Sequence, residues 1–387
     1  MDKIFEIGII GAGPAGSTAA AYLAGYGFDV CLFEKKSFPR ETLCGEFLSH
    51  EVIQLLKELN LFNDFISLSP NKITSFLFFN SSGKSIGSKF NFDAYGLSRS
   101  LFDNLLLCNA KNKGVTVYQP SEVKKIIRLR DSYELIIETV GQNQESFYCM
   151  SLIAAYGKQN SLDNLLNREF VAYKSKLNGV KFHLSKNELN DFNNEEIHIY
   201  TADNLYCGVN SVDNNRVTFC FLENRNYEQP PPRKQLIELQ KKNKAFKKIF
   251  NTSNENFFDS ISVFGTGNIY FGRRELVENG IFMIGDSSGI IAPLAGDGIG
   301  IAMESGKLIA DLYLKRKTER LTHDQISYLY EKEWNKLFLN RIKKAKIIQN
   351  LIINRYGREA GFRLVKIFPA LLPYLIKSTR NTSSKKI

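Results

Sequence analysis

The chain is short of the residues that build metal cages and disulfide frameworks. Among its 387 residues there are six cysteines and four histidines. Cys31, Cys44, Cys108, Cys149, Cys207 and Cys220 stand singly, with no CxxC pair. A zinc cage or an iron–sulfur cluster therefore lacks a ligand set, and no metal is expected. Scattered single thiols also argue for a reducing compartment rather than a disulfide framework. No internal repeat or low-complexity tract is present. The most apolar late stretch, "LVKIFPALLPYLI", is short and carries two prolines, whereas a membrane-spanning helix needs about 20 apolar residues. The first residues lack a basic n-region, and "IFEIGII" runs into a glycine loop as a buried strand does, not toward a cleavage site. A cytoplasmic protein is expected.

What is present describes a globular chain. Hydrophobic residues make up 43% and charged residues 24% of the sequence, enough for a sizeable core, and the length suits two cooperating domains. The net charge of +11 is unevenly placed. Residues 341–387 hold twelve Lys or Arg and a single acid, Glu359, so residues 1–340 are neutral overall. A neutral body argues against nucleic acid as a partner. A basic, apolar-studded end suits an acidic surface such as an anionic membrane. A solvated helix face and a helical lid over a pocket are the competing expectations.

Periodicity gives a βαβ unit at the start: a strand over residues 4–10, a glycine turn, a small-residue helix "PAGSTAAAYLAG" and a second strand "DVCLFE". Helical spacing follows in "HEVIQLLKELNLF" and in "GLSRSLFDNLLLCNAKNKG", which Gly114 ends. Residues 170–225 and 257–272 are strand-rich and aromatic, as in an antiparallel sheet, interrupted by the basic amphipathic helix of "PPPRKQLIELQKKNKAFKKIF". Near residue 280 the small-residue pattern returns, so the first domain is discontinuous. We place it at 1–70, 95–165 and 273–320, with a second domain at 71–94 and 166–272 and a basic helical segment at 321–387. The end "STRNTSSKKI" reads as a frayed tail.

"GAGPAG" puts Gly11, Gly13 and Gly16 at GxGxxG spacing between a strand and a helix, with Glu34 closing the next strand. The first glycine permits the tight turn, the second lets backbone approach a pyrophosphate, and the third permits close helix packing. The helix N-terminus stabilises phosphate, and Glu34 can accept hydrogen bonds from ribose hydroxyls. The motif implies a bound dinucleotide without separating FAD from NAD.

The late segment "GDSSGIIAPLAGDGIGIAMESG" resembles the second flavin signature of the p-hydroxybenzoate-hydroxylase-type FAD oxidoreductases. "LSRSLFDNLLL" is similar to that family's Arg-x3-Asp helix, and "FPRETLCGEFLS", a Pro-Arg followed by Cys-Gly, resembles the geranylgeranyl-reductase-like branch. The resemblance implies an α/β fold: a Rossmann-like FAD-binding domain of glutathione-reductase type with an inserted, mainly antiparallel substrate domain and a C-terminal helical segment. It implies FAD contacts from Ala15, Arg40, Gly45, Arg99, Val123, Asp286, Gly296, Gly298 and Ile299, in addition to Gly11, Gly13, Gly16 and Glu34. It also implies a substrate pocket lined by Tyr206, Cys207, Gly208 and Pro293. Two departures narrow the reading. Tyr156 stands where the family's aromatic hydroxylases place an aspartate, which counts against a self-sufficient NADPH-dependent hydroxylase. Trp334 is the chain's single tryptophan and sits in a late helix, so the paired tryptophans of flavin halogenases are missing.

For Cys44, metal and disulfide lack partners and compartment, which leaves an inert buried thiol or a thiol facing the flavin, the position the resemblance implies. The function expected is reduction or oxidation of a carbon–carbon double bond in an apolar, isoprenoid or lipid-like molecule. NAD(P)H or a reduced ferredoxin is the expected electron donor. Flavin monooxygenase chemistry on an aromatic or polyketide substrate is the alternative, and a non-catalytic, FAD-bound membrane protein is the third.

Overall fold

The computed structural model describes residues 3–139, 144–190, 192–225, 231–250 and 261–380. Alternation and apolar runs produce two large sheets. The first has strands in the order Val277–Glu278, Ile281–Met283, Glu145–Ala154, Ile4–Ile10, Val30–Phe33 and Thr116–Tyr118. From Ile281–Met283 to Thr116–Tyr118 the pairs are parallel. A hairpin of Ser121–Arg128 and Tyr133–Thr139 adds antiparallel to Glu145–Ala154. Parallel strands buried on both faces read as continuous apolar runs, which is why "IFEIGII" lacks alternation. Helices Pro14–Gly25, Arg99–Asn112 and Gly298–Glu319 share one core with this sheet.

The second sheet runs Phe264–Thr266, Leu177–Ser185, Arg216–Asn224, Leu205–Ser211, Glu196–Ala202, Asn71–Phe79, Ser85–Gly96 and Phe47–Leu48. All its pairs are antiparallel except Glu196–Ala202 with Asn71–Phe79. Its two faces bury different partners. Phe182, Phe219, Phe221 and Cys207 pack on one side with Leu236, Leu239 and Phe246 from helices Pro232–Lys242 and Lys244–Lys248. Phe76 and Phe78 look the other way, toward Phe362, Leu372 and Ile376 of the C-terminal helices.

Those helices are Asn340–Ile353, Arg355–Ile367 and Leu371–Ser378, preceded by His323–Trp334 and a π-helical turn at Asn335–Leu339. Three of their arginines turn inward. Arg341 pairs with Asp297 and, at 2.6 Å, with Glu304. Arg358 donates to the Ala202 carbonyl at 2.9 Å and to Asp203 at 2.8 Å. Arg380 donates to the Gly296 carbonyl at 3.2 Å. The segment expected to be a basic surface is therefore clamped by part of its own charge to the glycine loop and helix Gly298–Glu319 and to the second sheet, and its inner face roofs a cavity. No helix among the described residues is long and apolar enough to cross a membrane.

Candidate active site

The turn between Ile4–Ile10 and Pro14–Gly25 is as tight as its glycines allow. Gly11 has φ +102°, and a Cβ there would meet the Ala155 carbonyl oxygen at 2.6 Å. A Cβ on Gly16 would lie 1.9 Å from the Gly11 carbonyl oxygen, so the third glycine lets the helix close onto its own turn. Gly13 faces open space. Neither Pro14–Gly25 nor Gly298–Glu319 has a side-chain N-cap, so the first-turn N–H groups of both helices lack side-chain partners where they meet one cavity.

That cavity has a volume of about 960 Å3. Gly11, Gly13, Ala15, Glu34, Arg40, Val123, Asp286, Gly298 and Ile299 line it, as do Cys44, Gly45, Arg99, Tyr206, Gly208, Pro293 and Gly296. Two predicted residues lie outside it. Gly16 is packed beneath the turn. Cys207 corrects an expectation: it is fully buried in the core behind the second sheet. Successive side chains of a strand point to opposite faces, so Tyr206 and Gly208 meet the cavity and Cys207 between them cannot.

The cavity's polar wall is built on carboxylates. Glu34, buried, accepts from the backbone N–H of Ala12 and of Lys36, each at 2.9 Å. Arg40 lies 3.7 Å from Glu34 and 3.5 Å from Asp103, and its buried Nε has no hydrogen-bond partner. Asp103 holds Arg99 through two bonds, at 2.6 and 2.8 Å. Burial disfavours the Arg99 charge, but Asp103 outweighs it and raises the guanidinium. Asp286 lies on the turn after Ile281–Met283, with Lys158 at 3.9 Å. Tyr156 turns away from the cavity's centre to donate to Asp163 at 2.8 Å.

Beneath Cys44 lies a buried polar knot that sequence reasoning missed. Glu46 is fully buried and non-glycine at φ +56°, a backbone conformation that persists only where surroundings impose it. Its carboxylate accepts from Lys181 Nζ at 2.5 Å, the Arg99 backbone N–H at 2.8 Å and Thr218 Oγ1, and pairs with His183 Nε2 at 2.6 Å. Burial alone would raise the Glu46 carboxyl; the His183 hydrogen bond and the Lys181 charge instead lower it to about 2. Among the described residues Glu41, Glu46 and His183 bring ligand atoms within 4.8 Å of one another, but the Lys181 ammonium already bonds to both carboxylates. The signal was in "VKFHL": Lys181 and His183 share one face of a strand whose other face is apolar. The backbone N–H of Glu46 donates to Cys44 Sγ at 3.3 Å, and Cys44 itself lines the cavity.

Farther in, the lining becomes apolar. Phe76, Phe78, Phe90, Ile197 and Ile199 of the second sheet face Ile348, Ile352, Phe362, Leu372 and Ile376 of the C-terminal helices. Tyr206 donates its buried hydroxyl to Gln349 Oε1 at 3.2 Å. Burial pushes the neighbouring Cys220 thiol up to about 12. Trp334 is buried behind the glycine loop, its indole N–H on Ser288 Oγ at 3.1 Å, with no access to the substrate side.

The sequence model of the FAD binding domain family matches residues 5–312. The chain belongs to the FAD-binding-domain family. It is 21% identical to digeranylgeranylglycerophospholipid reductase of Methanococcus vannielii, over 97% of this chain and 98% of the relative. A flavin-dependent halogenase of Armillaria mellea is 37% identical, over 31% of this chain and 25% of its own length. The geranylgeranyl bacteriochlorophyll reductase-like protein of Thermoplasma acidophilum superposes with a TM-score of 0.76 at 19% identity, covering 91% of this chain and 88% of that one. The protein is thus an FAD-binding flavoprotein, similar over nearly its whole length to a geranylgeranyl-lipid reductase. The residues present fit that cofactor: a glycine turn open to the cavity, two helix N-termini without side-chain caps, a buried carboxylate at Glu34 on the cavity wall and the unpartnered Arg40 Nε.

Proposed function

We propose that the protein reduces a carbon–carbon double bond in an apolar, isoprenoid or lipid-like substrate. The observation that supports this most is the continuity of the flavin region with an apolar chamber roofed by the C-terminal helices, a shape suited to a long apolar molecule. Bound FAD, reduced by NAD(P)H or a reduced ferredoxin, supplies the hydride. The rest is the work of the chain. The uncapped N-terminus of Gly298–Glu319 favours negative charge on the reduced ring. The aromatic and aliphatic walls exclude water and hold the substrate's chain. Cys44, which lines the cavity, would give its S–H proton to the carbon that does not receive hydride. A substrate of this kind resides in a bilayer, so the reading includes peripheral attachment of the protein to a membrane.

The test is anaerobic. Photoreduced holoprotein is mixed with a geranylgeranyl lipid, and flavin absorbance is followed. The reading expects lipid-dependent reoxidation. Reoxidation that requires oxygen whatever lipid is present would refute it.

A further inference from the structure

We propose that the outward faces of the helices Asn340–Ile353, Arg355–Ile367 and Leu371–Ser378 dock the protein on an anionic lipid bilayer. Among the described residues sixteen large hydrophobic side chains are exposed, and seven of them fall between Ile347 and Tyr374. The clustering has helical logic. Ile347 and Leu351 are four residues apart, and Leu364 and Ile367 three apart, so each pair lies on one side of its helix, with Phe368 just past the second helix's end. Ile367 is 68% and Phe368 59% exposed, although Phe362 and Val365 on the same stretch are buried against the protein. The helices are apolar on both sides, with only one side covered.

Charge selects the partner. Lys343, Lys344, Lys346, Arg363, Lys366 and Lys377 are exposed among these apolar residues. Glu359, the acid of the segment, is half-buried and accepts from Asn80 and Ser81. A second copy of this chain would bring the same cations face to face, because a two-fold interface pairs a patch with itself. Apolar side chains interspersed with cations, and a single acid that is already hydrogen-bonded, match the headgroup boundary of an anionic membrane. Leu351 joins the two sides: it is 53% exposed and also lines the cavity. The docking face therefore adjoins the chamber, with Leu351 between them.

This deepens the reading of a lipid-borne substrate, yet its evidence is the surface alone. Its test therefore measures partitioning, not turnover, and either conclusion can fail without the other. Full-length, FAD-loaded protein is floated with vesicles of phosphatidylcholine alone and of phosphatidylcholine containing phosphatidylglycerol. Two variants accompany it: Lys343→Gln/Lys344→Gln/Lys366→Gln and Ile367→Ser/Phe368→Ser. All five side chains are exposed, and an unchanged flavin spectrum verifies folding. Docking requires recovery with anionic vesicles that falls with salt, that drops about a hundredfold when the three charges are removed, and that drops again in the apolar variant. Equal recovery with both vesicle types overturns it, as does full binding by both variants. A concentration-dependent dimer, seen by light scattering without vesicles and abolished by the apolar variant, also overturns it and assigns the face to a second copy.

Discussion

Replacing Glu46 is the sharpest structural perturbation available. Glu46→Ala deprives four donors at once: the Lys181 ammonium, the Arg99 backbone N–H, Thr218 Oγ1 and the His183 ring. Lys181 is fully buried and keeps only Glu41 and the Thr42 carbonyl, at 2.7 and 3.2 Å. Removing one partner of a buried ion pair costs about 3–5 kcal/mol, chiefly through the charge left behind. A second estimate agrees in order. The carboxyl is lowered from 4.5 to about 2, and at about 1.4 kcal/mol per tenfold change in proton affinity this is on the order of 3 kcal/mol. Because the folded value lies below the unfolded one, the contribution is fully present above the ordinary carboxylate range and is lost as pH falls through about 2. The assay is the thermal midpoint of flavin release near neutrality and at about pH 3. Near neutrality Glu46→Ala should lower the midpoint by several degrees, at roughly 2–4 °C per kcal/mol for domains of up to a few hundred residues. It should also weaken FAD binding by about tenfold, about 1.4 kcal/mol, because the Cys44–Gly45 loop loses its anchor. The gap from the parent should narrow at the acid pH. An unchanged midpoint together with unchanged FAD affinity would refute the view that this knot holds the loop.

Three further outcomes follow from the same geometry. Gly16→Ala should abolish FAD retention after gel filtration, since its Cβ would sit 1.9 Å from the Gly11 carbonyl oxygen, which is backbone and cannot yield. Cys44→Ala should slow lipid-dependent reoxidation of the reduced protein by about a hundredfold or more, as loss of a general acid does, while FAD affinity stays within about twofold; full rate would remove the proton role. Leu372→Trp, which fills the apolar chamber far from the glycine turn, should raise KM for a long apolar acceptor with the flavin spectrum unaltered, and an unchanged KM would place the substrate elsewhere.

The glycine turn, its flanking strands and the late glycine loop were legible because each is local: a few backbone demands written within six to twenty residues. Gly11, Glu34 and Asp286 are far apart in the chain but lie where parallel strands end, and that topology brings them to one cavity. Cys207 was misplaced because a three-residue motif does not say which of two strand faces is inside; one residue of register decides it. Glu46 escaped notice because an isolated glutamate in a loop looks like a solvated charge until Leu177–Ser185 and Arg216–Asn224 close over it. The C-terminal segment was legible as basic and apolar. Composition could not separate the arginines that clamp inward, Arg341, Arg358 and Arg380, from the lysines that face out.

The central claim is that reduced flavin in this site passes its electrons to a carbon–carbon double bond held in the adjoining chamber. Mass analysis of the lipid after anaerobic single turnover with the photoreduced holoprotein tests it most directly. The account predicts a product heavier by two hydrogen atoms for each double bond reduced, formed without oxygen. A product heavier by one oxygen atom and formed only in air, or an unaltered lipid beside fully reoxidised flavin, would contradict it.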